Sequence, residues 1–470
     1  MVMQILQREI KLLPMTKKNN QKIANWELTN PRALSVRVLE KVQNGAYSNL
    51  QLDSMIKQAD LSEKNVHLMT TMVYGVIQHR LTLEYWLIPF IKQPQKLESW
   101  VRELLYISIF QMQYLDKIPD HAIFDEAINI AKRRGHDGTR KFVTGVLHAI
   151  QRQGLPDFED IKDETKRLSI KTSLPVWLIE TLNGQLGWPK TVSIASTINA
   201  APSQSVRVNR ELISPTDLIK LLENDGYQVT PSEVTPDALL VSGGHVAGSQ
   251  AFHDGLLTLQ DESAMLMVPS LDVHPGDKVL DAAAAPGGKT TQIATYLEKT
   301  QGGHVVALDI HDHKAKLIKE NATRLQVADR IETQVLDARK VDEKFKDETF
   351  DRILVDAPCS GFGLLRRKPE IRYEKSLKDS YQLQKIQLSI LDAVANKLKK
   401  GGRLVYGTCT ILSTENEDVI NEFLAAHNDF KLVPTKTVNN LDVLDTQGML
   451  HVYPDDFGSD GFFIATLVKQ

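Results

Sequence analysis

The chain has 470 residues, 42% of them hydrophobic and 24% charged, with a formal net charge of −3, a composition ordinary for a globular protein but too long for one hydrophobic core, so two or three domains are expected. No apolar run approaches the roughly 18 residues of a membrane-spanning helix, and the N-terminal stretch lacks a signal-peptide core, so the expectation is a cytoplasmic protein with no membrane partner. Only two cysteines occur, Cys359 and Cys409, with no CxxC, HExxH or Cys/His cluster, which argues against a disulfide framework and against a metal site.

Residues 1–24, with KKNNQK at Lys17 to Lys22, read as a polar lead-in. From about Asn30 to Gln153 the pattern is helical. Met69, Met72, Val73, Val76 and Ile77 fall on one stripe of 3.6-residue period, and Ile123, Ala127, Ile130 and Ala131 form another that stops at Gly135. The basic run KRRGHDGTRK has two readings: a helix end whose cations meet the C-terminal dipole, or a contact of Lys132, Arg133 and Arg134 with RNA phosphates. Between Asp160 and His245 a helical LPVWLIETL, a strand-like SVRVN and a turn at Gly243 indicate a small intermediate domain. The following GSQAFHDGLLTLQDESAML, Gly248 to Leu266, is assigned to packing, with His253 structural.

Beyond that point short β-branched runs alternate with helices: KVLDAA at Lys278, HVVALD at His304, RIETQVLD at Arg330, FDRILVD at Phe350 and RLVYGT at Arg403. Leu383, Ile386, Ile390, Leu391, Val394 and Leu398 predict a helix ended by KKGG at Lys399 to Gly402. Such alternation predicts a parallel, doubly wound sheet that binds ligands at the carboxyl ends of its strands.

DAAAAPGGKTTQIA, from Asp281, joins the first of these strands to a helix through small residues that let a ligand approach the backbone. A P-loop would need glycine where Ala283 stands, and a dinucleotide fingerprint would need more than the pair Gly287–Gly288. S-adenosylmethionine carries no phosphate to be held, and its ribose needs an acidic partner. Asp309 and Asp337 close the next two strands, where a carboxylate can meet the ribose and the adenine side. Either could instead cap a helix, but three aspartates in register favour a ligand.

VDAPCSGFG ends the fourth strand and YGTCTILSTEN the fifth, so in adjacent strands both thiols and Asp356 would face one substrate. A free cysteine is often only a small buried apolar residue, yet both cysteines of this chain fall beside the proposed cofactor loop. Carbon 5 of cytosine is a poor nucleophile until a thiolate adds to carbon 6 and makes the ring enamine-like. A carboxyl group can then hold ring N3 and the exocyclic amine, and a second thiol can assist elimination. RRK at Arg366 to Lys368, with Arg372 and Tyr373, could hold phosphates and stack on a base, although a solvated charge run reads the same way.

DAAAAPGGKT, DAPCSGFG, RRKPEIRY, YGTCTI and DGFFIATL resemble, in order, the signature blocks of RNA cytosine-C5 methyltransferases. NPRALSVRVLEKVQNGAYSNLQL, MVYGVIQHR and IPDHAIFDEAINIAKRRG are similar to a NusB-type RNA-binding helical domain, a combination characteristic of the bacterial RsmB group. The resemblance implies a multidomain protein: a NusB-like all-α bundle over 25–160, a small α+β domain over 161–245 and a Rossmann-like class I methyltransferase domain over 246–470. It implies Cys409 as nucleophile, Cys359 as the residue assisting product release, and Asp356 at the base. It also implies S-adenosylmethionine contacts from Ala283, Ala284, Ala285, Pro286, Gly287, Gly288, Lys289, Asp309, Asp337 and Asp356. The family often has cysteine at the position of Ala283, where a small residue suffices. The expected partner is 16S rRNA or an early small-subunit assembly intermediate. The alternatives are the same chemistry on tRNA or 23S rRNA, and a NusB-like antitermination or assembly factor without catalysis.

Overall fold

The computed structural model describes residues 23–439 and 441–470, so the lead-in read at 1–24 lies almost wholly outside the described residues. These form two compact units. One comprises the described residues up to Asn199 together with Lys368–Glu374, the other Ala200–Arg367 together with Lys375–Gln470.

The first unit is helical: α1 (Pro31–Gln43), α2 (Ser48–Gln58), α3 (Glu63–Gln78), α4 (Arg80–Leu87), α5 (Ser99–Tyr114), α6 (Asp120–Arg134), α7 (Asp137–Gln153), α8 (Glu164–Thr172), α9 (Val176–Leu186) and α10 (Trp188–Thr197). Asn30 starts α1 by accepting the N–H groups of Arg32 and Ala33, and Pro31 sits where a missing N–H costs nothing. The stripe from Met69 to Ile77 is buried on α3, and that from Ile123 to Ala131 on α6, which Gly135 ends, as the 3.6-residue spacing predicts. Both stripes pack into one core with Leu34 and Leu39 of α1 and Leu104, Leu105 and Ile107 of α5.

The segment Lys368–Glu374 belongs to this unit, and it corrects the phosphate-binding reading of Arg372 and the base-stacking reading of Tyr373. Arg372 is fully buried, and its Nη1 donates to Asn199 Oδ1 at 2.9 Å and to the carbonyls of Gln78, Thr172 and Ser173 at 3.1, 3.3 and 3.4 Å. The Tyr373 hydroxyl donates to Ser173 O at 3.2 Å, and Glu370 accepts the Ser48 hydroxyl at 2.9 Å. A planar guanidinium with several donors satisfies carbonyls at helix ends that would otherwise be buried without partners.

The second unit holds two sheets. The smaller has β1 (Gln204–Val208), β2 (Gln228–Pro231), β3 (Ala238–Ser242) and β4 (Leu257–Leu259) in the antiparallel order β2-β3-β1-β4. Helix α11 (Pro215–Asn224) lays Leu218 and Leu222 against Val206, Val208, Leu239 and Val241.

The larger sheet has eight strands: β5 (Lys278–Asp281), β6 (His304–Asp309), β7 (Ile331–Val335), β8 (Phe350–Asp356), β9 (Leu398–Thr408), β10 (Phe430–Val433), β11 (Leu450–Val452) and β12 (Phe462–Lys469). The order is β10-β12-β9-β8-β5-β6-β7, with β11 beside β12. Strands β5 to β9 are parallel, while β12 and β10 run antiparallel. The chain winds outward from β5 to β7 and then crosses to β8 on the other side of β5, so the topological switch lies at the end of β5. Around the sheet lie α12 (Gly288–Ala294), α13 (Asp312–Arg324), α14 (Leu377–Ala395) and α15 (Glu417–Ala426).

Two details depart from the sequence reading. Helix α14 buries Ile390, Leu391 and Val394, but Ile386 is exposed and the helix stops at Ala395. Leu398 already begins β9, and KKGG lies within that strand. Pairing passes from Phe350–Leu398 to Arg352–Arg403, five residues on β9 against two on β8, so these glycines serve a bulge rather than a helix cap.

Arg372→Ala should destabilise the helical unit by roughly 3 kcal/mol, because it leaves several buried acceptors without a donor. Urea unfolding followed by helical circular dichroism measures this. An unchanged midpoint would contradict the structural role given to Arg372.

Candidate active site

The loop between β5 and α12 is tied down on both sides. Ala282 N–H donates to Leu354 O of β8 at 2.9 Å, and Ala284 N–H to Leu308 O of β6 at 2.8 Å. Gly287 turns the chain with φ of 103°, and a Cβ there would stand 3.2 Å from Ile318 Cα of α13. Only glycine meets both conditions without strain. Above the loop is a cavity of about 140 Å³ lined by Ala283, Ala284, Ala285, Pro286, Gly288 and Lys289, with Asp281, Asp356, Leu259 and Gln260. Gly287 shapes the turn and does not line the cavity.

Asp281 is buried and accepts the Thr290 hydroxyl at 2.6 Å through Oδ2. Burial pushes its carboxyl up to about 7, against the Thr290 hydrogen bond. At the end of β6 the half-buried Asp309 accepts His311 N–H at 2.9 Å, and Ile310 beside it is 58% exposed. Asp337, two residues past β7, caps a short 3₁₀ turn by accepting Arg339 N–H and pairs with the Arg339 guanidinium at 2.6 Å. That side-chain pairing, partly opposed by burial, holds the Asp337 carboxyl below its usual range.

At the adjoining strand ends Asp356 is in register with Gly407, so the segments carrying Cys359 and Cys409 leave the sheet side by side. Their sulfurs are 3.1 Å apart. Lys289 Nζ meets Asp356 Oδ2 at 2.7 Å. Burial alone would favour neutral Lys289, but Asp356 first, then Cys409 and Asp281, outweigh it and hold the ammonium above its ordinary value. Cys359 is pushed well up by its hydrogen bond to Cys409, by burial and by the charges of Cys409, Glu415 and Asp356. Gly363 closes the corner: its N–H donates to Cys409 O at 2.9 Å and its carbonyl accepts Gly461 N–H at 2.9 Å. A Cβ on Gly363 would lie 2.7 Å from Cys409 O and closer still to Gly461 O.

The family model described as 16S rRNA methyltransferase RsmB/F matches residues 268–468, that of the NusB family residues 29–152, and that of the RsmF/B-like ferredoxin-like domain residues 174–246. A probable ribosomal RNA small subunit methyltransferase B of Bacillus subtilis (strain 168) is 44% identical over 446 residues, spanning 94% of this chain and 99% of that protein. The chain belongs to the RsmB/RsmF methyltransferase family. A ribosomal RNA small subunit methyltransferase B of Photorhabdus laumondii is 34% identical over 444 residues, with the same coverage of 94% and 99%. The crystal structure of a methyltransferase homolog protein from Pyrococcus horikoshii, 27% identical, aligns with a TM-score of 0.57 over 66% of this chain and all of that one.

As a member of the RsmB/RsmF family the protein is a methyltransferase that uses S-adenosylmethionine. The residues present fit that group. The cavity offers a loop of small residues for close approach and the buried Asp281 carboxyl for a polar group, while outside its lining, at the end of β6, the Asp309 carboxylate beside the exposed apolar Ile310 suits a ribose and its base.

The cations expected at RNA divide into two sets. Arg366 donates to Ser459 O, and Arg367 bridges Asp460 at 2.6 Å and Asp261 at 2.9 Å, so both are occupied inside the methyltransferase unit as Arg372 is in the helical one. Arg134 pairs with Glu40 at 2.5 Å and lies over the Trp100 ring. Lys132, Arg133 and Lys368 are exposed.

Sequence reasoning missed two supports of the loop between β5 and α12. Gln260, in the segment assigned to packing, lines the cavity. Arg207 of β1, nearly buried, donates to Gly288 O at 2.6 Å, Gln260 Oε1 at 2.7 Å and Thr291 Oγ1 at 2.9 Å. An arginine in the apolar alternation SVRVN was the available signal, since a charge on the inner face of a strand requires partners.

The Asp281 carboxyl sits higher in the folded protein, at about 7, than its unfolded value near 3.8, so the native state holds that proton more tightly. Its contribution to stability is fully present below the unfolded value and is lost as pH rises through 7. Lowering pH from 8 to 6 should therefore gain on the order of 1 kcal/mol from this group. In Asp281→Asn that increment should vanish from the pH dependence of thermal unfolding, and an identical pH slope in both proteins would refute it.

Proposed function

We propose that this enzyme methylates carbon 5 of a specific cytosine in 16S rRNA, free or in an early small-subunit intermediate in the cytoplasm, through a covalent bond between Cys409 and carbon 6. The observation that carries the reading is the pair of thiols on adjacent parallel strand ends, 3.1 Å apart, beside a Lys289–Asp356 pair and the cofactor cavity. The relatives' description as small-subunit ribosomal RNA enzymes supports the choice of RNA.

Each residue has a role that follows from its surroundings. Cys409 adds to carbon 6 as the nucleophile, with the Lys289 ammonium close by. Asp356 meets ring N3 and the exocyclic amine, leaving its pairing with Lys289 to do so. Bound S-adenosylmethionine supplies an electrophilic methyl group for carbon 5. Cys359 is kept protonated mainly by its hydrogen bond to Cys409. After methyl transfer Cys359, in contact with Cys409, assists loss of the proton from carbon 5 and release of the product. For RNA phosphates we propose the exposed Lys132, Arg133 and Lys368.

Cys409→Ala should lower methyl transfer by roughly a thousandfold or more while S-adenosylmethionine binding by calorimetry persists. Cys359→Ala should trap RNA as a band that survives a denaturing gel and disappears when Cys409 is also replaced. Sequencing the attached RNA identifies the target. Turnover retained by Cys409→Ala would overturn the assignment of the nucleophile.

A further inference from the structure

Beneath the two cysteine loops lie Glu415 and Asn416, consecutive residues between β9 and α15, neither of which is placed at the substrate or the cofactor above. Glu415 is fully buried. Its Oε2 accepts Ser360 N–H at 2.8 Å and the Gln387 amide at 3.1 Å, and its Oε1 accepts the Ser380 hydroxyl at 2.7 Å. The Gln387 amide also donates to Pro358 O at 2.9 Å. Both neighbours of Cys359 in the chain, Pro358 and Ser360, are therefore held by a network centred on one carboxylate.

Asn416 does the same for the other cysteine. Its Oδ1 accepts the Thr408 hydroxyl at 2.5 Å and its Nδ2 donates to Thr410 O at 3.1 Å, which fixes both neighbours of Cys409. The Ser360 and Thr410 hydroxyls meet at 2.9 Å and join the two networks. Burying a carboxylate is costly unless every acceptor is filled, so a buried carboxylate carrying three donors marks a position where geometry is being enforced.

We infer that Glu415 and Asn416 are a pair of positioning residues that set the spacing of the two sulfurs, Glu415 acting on Cys359 and Asn416 on Cys409. The positioning stands on geometry alone, while the division of labour also rests on the proposed roles of the cysteines. A glutamine in place of Glu415 can keep the arrangement, since its oxygen can accept from Ser360 and Gln387 and its amide can donate to the Ser380 hydroxyl.

The first test needs no RNA. Diamide oxidises a close thiol pair, taking up the two electrons and two protons released as the S–S bond forms. The full-length protein should couple Cys359 to Cys409 rapidly, and Glu415→Gln should stay within about twofold of it, whereas Glu415→Ala and Asn416→Ala should be slower by roughly tenfold or more. Leu218→Ala, which destabilises the same unit at the small sheet, is the control. Equal slowing in that control, or Ala variants within about twofold of the unmodified protein, would overturn the inference.

The second test uses unmethylated 16S rRNA on a denaturing gel. Glu415→Ala should accumulate the protein–RNA adduct as Cys359→Ala does, and Asn416→Ala should form at least tenfold less, as Cys409→Ala does. The same behaviour in both variants would overturn the division of labour. Absence of an adduct in Cys359→Ala itself would strike the proposed function and leave the positioning to the thiol-coupling result.

Discussion

The pairing of β8 with β9 is the constraint on which the site depends. Parallel strands deliver their carboxyl ends to the same edge of the sheet, and the register of Asp356 with Gly407 brings Cys359 and Cys409, fifty positions apart in sequence, into contact. A one-residue slip would turn one of the two loops to the opposite face. The bulge at Lys399–Gly402 lies at the far end of this pairing, so the irregularity is spent before the strands reach the site.

Charge at the site is arranged in coupled pairs. Lys289 is half-buried and is held cationic by Asp356, and the same ammonium lies within the field of Cys409. The contact between the sulfurs adds a hydrogen bond that pushes the Cys359 thiol up. Below, the Arg207 guanidinium holds the carbonyl of Gly288 and thereby fixes the loop that carries Lys289.

The fold was legible where local periodicity and burial agree. The stripes of α3 and α6 and the alternation of short strands with helices all reappear, because in each the apolar spacing states which face is buried. The cysteine corner was legible too, since strand-end loops in a doubly wound sheet converge. What failed was inference from charge. RRKPEIRY looks like a phosphate site, yet Arg366, Arg367 and Arg372 are internal, with partners such as Ser459, Asp460 and Asn199 that lie distant in sequence. A cation's partner is a tertiary fact. The same holds for Glu415 and Asn416, whose role depends on donors from both cysteine loops and from α14.

The placement of β12 has a consequence for the birth of the enzyme. It is synthesised after every other strand of the sheet, yet it lies between β9 and β10, and Gly461, just before it, supplies the N–H that holds Gly363 against Cys409. A chain in which this segment has not yet paired exposes the edge of β9 and lacks the clasp on the segment that carries Cys409. The corner that carries Cys409 is thus completed only when β12 has paired with the edge of β9.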